Sequence, residues 1–394
     1  MIPMNTTQTG LLLLAKSAIT QQPEVLPDGF RLEDTLTIIQ KHRIISLAFE
    51  GAFLCGIPIS DPVMQQLFRG YCSALQINEQ QLSKLQELFR LLDAHQIDYL
   101  PLKGVTMKQR YPKPELRQMG DADILIRTEQ YDAIRNIMPS LGFVFEFETD
   151  HEYVWNSTFL QVEFHKHLIP TVNKDLYPFF GSGWKLARHV SGCRYAMTPE
   201  DEFLFLFTHY VKHYREGGIG IKHLPDLWLF LRQYPELNLE YVNSRIAQLH
   251  LSEFWNNTQM LLSVWFDGCP ATEKTDFMTE FIFSSGSFGS ELSRILARAT
   301  RAEQQSNIRI SGKLDYIFRR AFPPCRVLVG KYTILKKCPW MLPVVWLYRP
   351  FYKVIFEFKS LRIQKDHIQH LSQENIMTQL DAMEYVGLSY YRGK

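Results

Sequence analysis

Asp121 and Asp123 stand two apart in Met-Gly-Asp-Ala-Asp-Ile-Leu-Ile, residues 119–126. The apolar residues that follow predict a strand. Side chains alternate along a strand, so both carboxylates point to one face while Ala122 and Ile124 point to the other. Two carboxylates held this close repel and raise each other's pKa unless a cation sits between them. Mg²⁺ (or Mn²⁺) takes oxygen ligands, commonly one or two carboxylates plus substrate phosphates. Paired ions of this kind can clamp the attacking and leaving oxygens of an in-line phosphoryl displacement. A third acid is offered by Leu-Gln-Val-Glu-Phe-His, residues 160–165. There Leu160, Val162 and Phe164 form an apolar face, and Gln161, Glu163 and His165 the polar one. Glu163 can ligate a metal or accept a proton from an attacking group. His165, beside it, is expected to shape the site rather than to carry protons.

Upstream, Leu102-Lys103-Gly104 places a glycine at a strand-to-helix turn, where backbone N–H groups can approach phosphate oxygens. Lys103 and Arg117 flank the same region. Either can meet a triphosphate, Arg117 in a bidentate manner; Lys103 can equally be a strand-end cation, and Arg117 a structural ion pair with Glu115 or another surface acid. His209 and His213 fall four apart on a predicted helix, a spacing that can bind zinc with His223 or Asp226 as partners. Histidines that hydrogen-bond across helices, or that wall an acceptor pocket, fit the same spacing.

These residues need elements to carry them. Leu82, Leu85, Leu88, Phe89 and Leu92 form one helical stripe from about 79 to 94. Strands are predicted at 97–102, 121–126, 143–147 and 160–165, and short helices at 105–111 and 129–138, the latter capped by Thr128. Pro199 followed by three acids starts a helix that runs to about 214 and stops at Gly217-Gly218. Further helices are predicted at 223–233, 238–249 and 250–266. The expected organisation is α+β: a helical region over 1–93, a small mixed-sheet core over 94–190, a helical acceptor-side region over 191–312, and a basic aromatic region over 313–394.

The order of strand, glycine turn, short helix, D-x-D on a strand and a lone acid on a later strand resembles the DNA polymerase β-like nucleotidyltransferase superfamily. The similarity is closer to its uncharacterised bacterial nucleotidyltransferases. It rests on Leu102-Lys103-Gly104, Tyr111-Pro112, Arg117, Met119-Gly120-Asp121-Ala122-Asp123, Glu163-Phe164-His165, the His209/His213 pair and a step near Asp226. It covers about residues 95 to 230. The resemblance implies Mg²⁺ on Asp121 and Asp123, Glu163 as third carboxylate, an NTP as substrate, and transfer of a nucleoside monophosphate with release of pyrophosphate. Superfamily members more often carry Gly-Ser or Gly-Gly at the turn, whereas Lys103-Gly104-Val105 stands here. The acceptor, whether small molecule, peptide or protein, leaves no signal in the sequence, and neither does the oligomeric state. A binding protein that kept the pocket and lost the chemistry, or a membrane-surface assembly factor, would share the same pattern.

In 394 residues, 46% are hydrophobic and 21% charged, values of a folded globular protein. Six scattered cysteines without a C-x-x-C pair imply reduced thiols rather than a disulfide frame. The apolar run at 11–15 is short and has no basic stretch before it, and Cys338 to Tyr348, 11 uncharged residues, falls well below the roughly 20 of a membrane span. The expected compartment is the cytoplasm. Net charge is +2, yet residues 313–365 hold twelve Lys or Arg against Asp315 and Glu357. That basic, aromatic segment is expected first to cover acidic surface of the same chain. Peripheral contact with an anionic membrane comes second, and nucleic acid is the least favoured partner.

Overall fold

The structure is a computed structural model describing residues 4–286, 322–323, 325–328, 332, 334–356 and 373–389. It opens on helices α1 (Thr6–Thr20), α2 (Leu36–His42), α3 (Ile45–Leu54) and α4 (Pro62–Ala94). Asn5 and Gln8 close a reciprocal cap on α1. Gly51 lets α3 lie against α1, since a Cβ there would sit 2.0 Å from the Leu14 carbonyl oxygen. Helix α4 has 33 residues and begins far upstream of the predicted residue 79, because Asp61 caps it by accepting from the N–H groups of Val63 and Met64 and Pro62 fits its first turn. Its early apolar residues, Met64 and Leu67, join one core, while Leu85, Leu88 and Leu92 join another, so a single helix braces both.

The sheet is built from β1 (Tyr99–Pro101), β2 (Asp121–Ile126), β3 (Val144–Glu148), β4 (Glu152–Asn156), β5 (Gln161–His165), β6 (Arg188–Ser191) and β7 (Arg194–Ala196), with α5 (Gly104–Met107), α6 (Tyr131–Ile137) and α7 (Tyr177–Phe180) between strands. Strand order is β3-β4-β5-β2-β1-β7-β6; β2/β5 and β1/β7 run parallel and the other pairs antiparallel. The fold is α+β, as expected. Several boundaries move for local reasons. Strand β1 starts two residues late because the Ile97 N–H still closes on Leu92 O at the end of α4. Thr128 makes no side-chain cap; it starts a 3₁₀ turn, and α6 begins at Tyr131. The hairpin β6/β7, turning at Gly192 in the left-handed region (φ 55°), carries the sheet past residue 190 to Ala196.

After the sheet come α8 (Pro199–Arg215), α9 (His223–Gln233), α10 (Leu239–Gln248), α11 (Ser252–Phe266) and α12 (Glu273–Ser285). Thr198 caps α8 by accepting from the Asp201 N–H, and Glu200, Asp201 and Glu202 lie in its first turn. The two faces of the sheet pack into different cores. Ala122, Ile124, Ile126, Val162 and Phe164 face α4 and α6. Leu100, Leu102 and Leu125 face the other way, into a core that runs from Leu11 to Leu388 and joins the first helices to those after Thr198. Asp121, Asp123 and Glu163 lie on this second face, in step with Leu125.

Of the basic segment, residues 313–321, 324, 329–331, 333 and 357–365 and the side chains of Arg326, Lys336 and Lys353 lie outside the described residues. Within the described part, the helix Leu342–Phe356 and the turn before it leave Trp340, Val344, Leu347 and Tyr348 exposed. Among the described residues no helix is long and apolar enough to cross a membrane. All six cysteines are unpaired.

Candidate active site

Parallel pairing of β2 with β5 sets Asp121 opposite Gln161 and Asp123 opposite Glu163. Paired residues of adjacent strands share a face, so the spacing read along each strand becomes a cluster across two. One oxygen of Asp123, one of Glu163 and a ring nitrogen of His165 lie within 4.8 Å of one another. Asp121 stands one pleat nearer the mouth and is half-buried, against 4% exposure for Asp123.

Asp123 Oδ1 accepts from Lys103 Nζ at 3.0 Å and from His165 Nε2 at 2.6 Å. His165 Nδ1 faces His151 Nε2 at 3.0 Å. With the carboxylate taking the Nε2 hydrogen, His165 Nδ1 is the acceptor and His151 the donor, so the chain His151–His165–Asp123 fixes both tautomers. Burial would raise the Asp123 carboxyl, but the Lys103 ammonium and the His165 hydrogen bond outweigh it and hold Asp123 below the ordinary carboxylate range. Glu163 goes the other way. Burial, then the negative charges of Asp123, Glu152 and Asp121, push it up to about 8. Burial also works to lower the Lys103 ammonium, and the facing carboxylates of Asp123, Asp121 and Glu163 reverse this and raise it.

The acids open onto a cleft of about 630 Å³ between the sheet face, α4, α8 and α9. Lys103, Gly104, Arg117, Asp121 and Asp123 line one side and His209, His213, Lys222 and His223 the other; β5 contributes Gln161 to the wall, with Glu163 set beside Asp123. Gln81 of α4 donates to Met119 O and to Phe159 O, both at 3.1 Å. It thereby holds the lead-ins to both acid-bearing strands.

The predicted phosphate-side residues fare differently. Lys103 joins the acids, and the turn's unusual backbone is its own, φ 41° and ψ −111°, a strained setting for a residue with a Cβ. Gly104 is not in the left-handed region; its lack of a Cβ makes room for Met119, whose Cγ would be 3.1 Å away. Arg117 does not reach for Glu115. Its Nε and Nη2 grip Asp226 at 2.8–3.0 Å and its Nη1 donates to Gln118 O at 2.9 Å, with both partners of the ion pair buried. Tyr111 also donates to Asp226 Oδ1 at 2.8 Å.

A family profile described as "Uncharacterised nucleotidyltransferase" matches residues 28–267, from before α2 to the end of α11. The chain belongs to this family. No curated protein and no solved structure matches it. The matched span of the uncharacterised nucleotidyltransferase takes in the whole sheet, α8 and α9, and with them every residue of the cleft. Family membership supports a general nucleotidyltransferase role. Sequence reasoning missed His151 because β4 was not foreseen, although Glu152-Tyr-Val-Trp-Asn alternates as a strand does. It also missed Gln81 and Lys222, which carry no local signal.

Proposed function

We propose that the cleft binds a nucleoside triphosphate with Mg²⁺ or Mn²⁺ and transfers its nucleoside monophosphate to an acceptor, releasing pyrophosphate. The observation that carries this reading is the register that pairs Asp123 with Glu163 on the face that also bears Asp121. The donor set fits a hard divalent cation: carboxylate oxygens converge, and the Glu163 carboxyl is raised first by burial and then by negative neighbours whose repulsion such a cation would offset. Asp121, Asp123 and Glu163 would hold the metal, which when bound neutralises phosphate charge and orients the in-line displacement. Lys103, tied to Asp123, is set to meet a phosphate oxygen beside the acids. Arg117 holds the Gln118–Asp121 lead-in and lines the cleft, on the side where a phosphate would lie. The wall made by α8 and α9 is the acceptor side.

One observation favours a second reading, nucleotide binding without turnover. Asp123 Oδ1 already takes two hydrogen bonds, from Lys103 and His165, so one of the two oxygens it could offer a metal is engaged. A labelled-NTP transfer and pyrophosphate-release screen against cell extract, with Mg²⁺ or Mn²⁺, separates the two. Turnover by the wild type that falls by at least roughly 10³-fold in Asp121→Ala/Asp123→Ala and in Glu163→Gln supports transfer, given that such electrostatic clamps supply orders of magnitude in rate. NTP binding by calorimetry with no release in any fraction supports the silent reading, and a double variant as active as wild type removes both metal roles.

A further inference from the structure

His209 and His213 of α8 and His223 in the first turn of α9 each bring a ring nitrogen to within 4.8 Å of the others. His209 Nε2 and His213 Nε2 are 3.0 Å apart, and the His223 ring centroid lies 5.6 and 5.3 Å from theirs. Two facing imidazole nitrogens can share one hydrogen, but a third nitrogen converging on the pair goes beyond what that hydrogen bond uses. The sequence offered His223 and Asp226 equally as partners of the pair; the loop 216–222 between α8 and α9 brings in His223, while Asp226 goes to Arg117.

We propose that these histidines form a second metal site, distinct from the carboxylates, which holds a Zn²⁺-class transition ion with an anionic fourth ligand facing the cleft. Three histidines and one open position is the ligand count of catalytic zinc. At metal–nitrogen distances of about 2.0–2.1 Å, tetrahedral ligand nitrogens lie roughly 3.3–3.4 Å apart. The observed separations, from 3.0 Å to under 4.8 Å, bracket that value, so small ring rotations suffice. Imidazole selects Zn²⁺, Cu²⁺ or Ni²⁺ over Mg²⁺ and Ca²⁺. The ligands must be neutral, and burial, the largest cause in each, holds all three imidazoles in the neutral form.

The surroundings decide the fourth ligand. Lys103 bears on all three histidines, Lys212 on His209 and His213, and Lys222 on His213 and His223, against the Asp123 carboxylate, which bears on His213, so a dication there needs further negative charge close by. Asp226, one turn along α9 from His223, cannot supply it, because Arg117 and Tyr111 take its oxygens. The charge must come through the cleft, from hydroxide or from a carboxylate or phosphate oxygen of a bound molecule. The site does not depend on the nucleotidyl-transfer reading, and it can be tested without it.

The test strips the full chain with a chelator, adds Zn²⁺ in excess Mg²⁺, desalts, and counts metal by mass spectrometry. Co²⁺ loading of the wild type reads the ligand set directly from its visible spectrum, with no variant needed. About one Zn²⁺ per chain, an intense tetrahedral Co²⁺ spectrum, and affinity weakened by at least roughly 10–100-fold in His213→Gln and in His223→Gln are expected, since losing even an outer-shell partner costs that much. Asp123→Asn should keep its Zn²⁺, which excludes the cluster of Asp123, Glu163 and His165, and the loss in His213→Gln and His223→Gln excludes that of His151, Glu152 and His165. Wild type that retains no Zn²⁺, an octahedral Co²⁺ spectrum, His variants that bind as wild type does, or loss in Asp123→Asn instead would each overturn the proposal.

Discussion

Removing the Asp226 carboxylate breaks the buried ion pair that Arg117 makes beside the cleft. In Asp226→Ala the Arg117 guanidinium, 7% exposed, loses three contacts at 2.8–3.0 Å, and the Tyr111 hydroxyl, in a residue 4% exposed, loses its acceptor. Breaking a buried ion pair from one side costs about 3–5 kcal/mol, because the surviving charge stays buried without its counterion. An unpaired buried hydroxyl adds about 1–3 kcal/mol, and the two do not add fully since they share one partner. A loss near 4 kcal/mol is expected. Unfolding entropy is about 2.1 cal/mol/K per residue, which in a chain of 394 residues corresponds to a fall in Tm of roughly 5 °C. Replacing the whole set, Tyr111→Phe/Arg117→Met/Asp226→Leu, removes the ion pair and the hydroxyl together and leaves only Gln118 O without its donor. It should melt within roughly 1–2 kcal/mol of wild type, because well-packed apolar substitutes for buried ion pairs are often neutral. Differential scanning calorimetry on the singles and the triple measures this. A single costing under about 1 kcal/mol, or a triple costing the sum of its singles, refutes the account of Arg117 as a buried staple for the Gln118–Asp121 lead-in.

Gln81→Leu leaves Met119 O and Phe159 O without their shared donor, so a loss of about 2 kcal/mol and weaker Mg²⁺–NTP binding are expected by denaturant titration and calorimetry; unchanged binding would show that α4 does not set the acid-bearing strands. His42 is held neutral, its pKa lowered to about 4 by burial, with Nε2 donating to Phe283 O and Nδ1 accepting from the Ile221 N–H. Because the folded pKa lies below the unfolded 6.5, its contribution is present above pH 6.5 and lost as pH falls through about 4, a change of about 3 kcal/mol. Urea titrations between those limits should therefore show one proton less of acid sensitivity in His42→Gln, and an unchanged slope contradicts the assignment. Trp340 and Leu347 are exposed; if this segment meets an anionic bilayer, the second of the expectations for it, Trp340→Glu/Leu347→Glu should reduce flotation with anionic vesicles by at least roughly tenfold, whereas equal flotation removes that contact.

The sequence determined what depends on neighbours in the chain. Alternation over 121–126 and over 160–165 put three acids on polar strand faces, and Pro199 with its acids marked α8 within a residue or so of its observed ends. The family resemblance came from the same short motifs. Helix α4 was half legible, since its first half carries fewer leucines and faces a different core. Tertiary structure alone decided which groups meet. The parallel register of β2 with β5 could have slipped by two residues without changing either face, yet only the observed one pairs Asp123 with Glu163. Arg117 finds Asp226 across 109 residues of chain, and His151 reaches His165 through the β4/β5 pairing that sets its neighbour Glu152 opposite His165. Periodicity encodes which way a side chain points from its own strand or helix. What it points at is set by packing between elements distant in sequence, and no local pattern carries that.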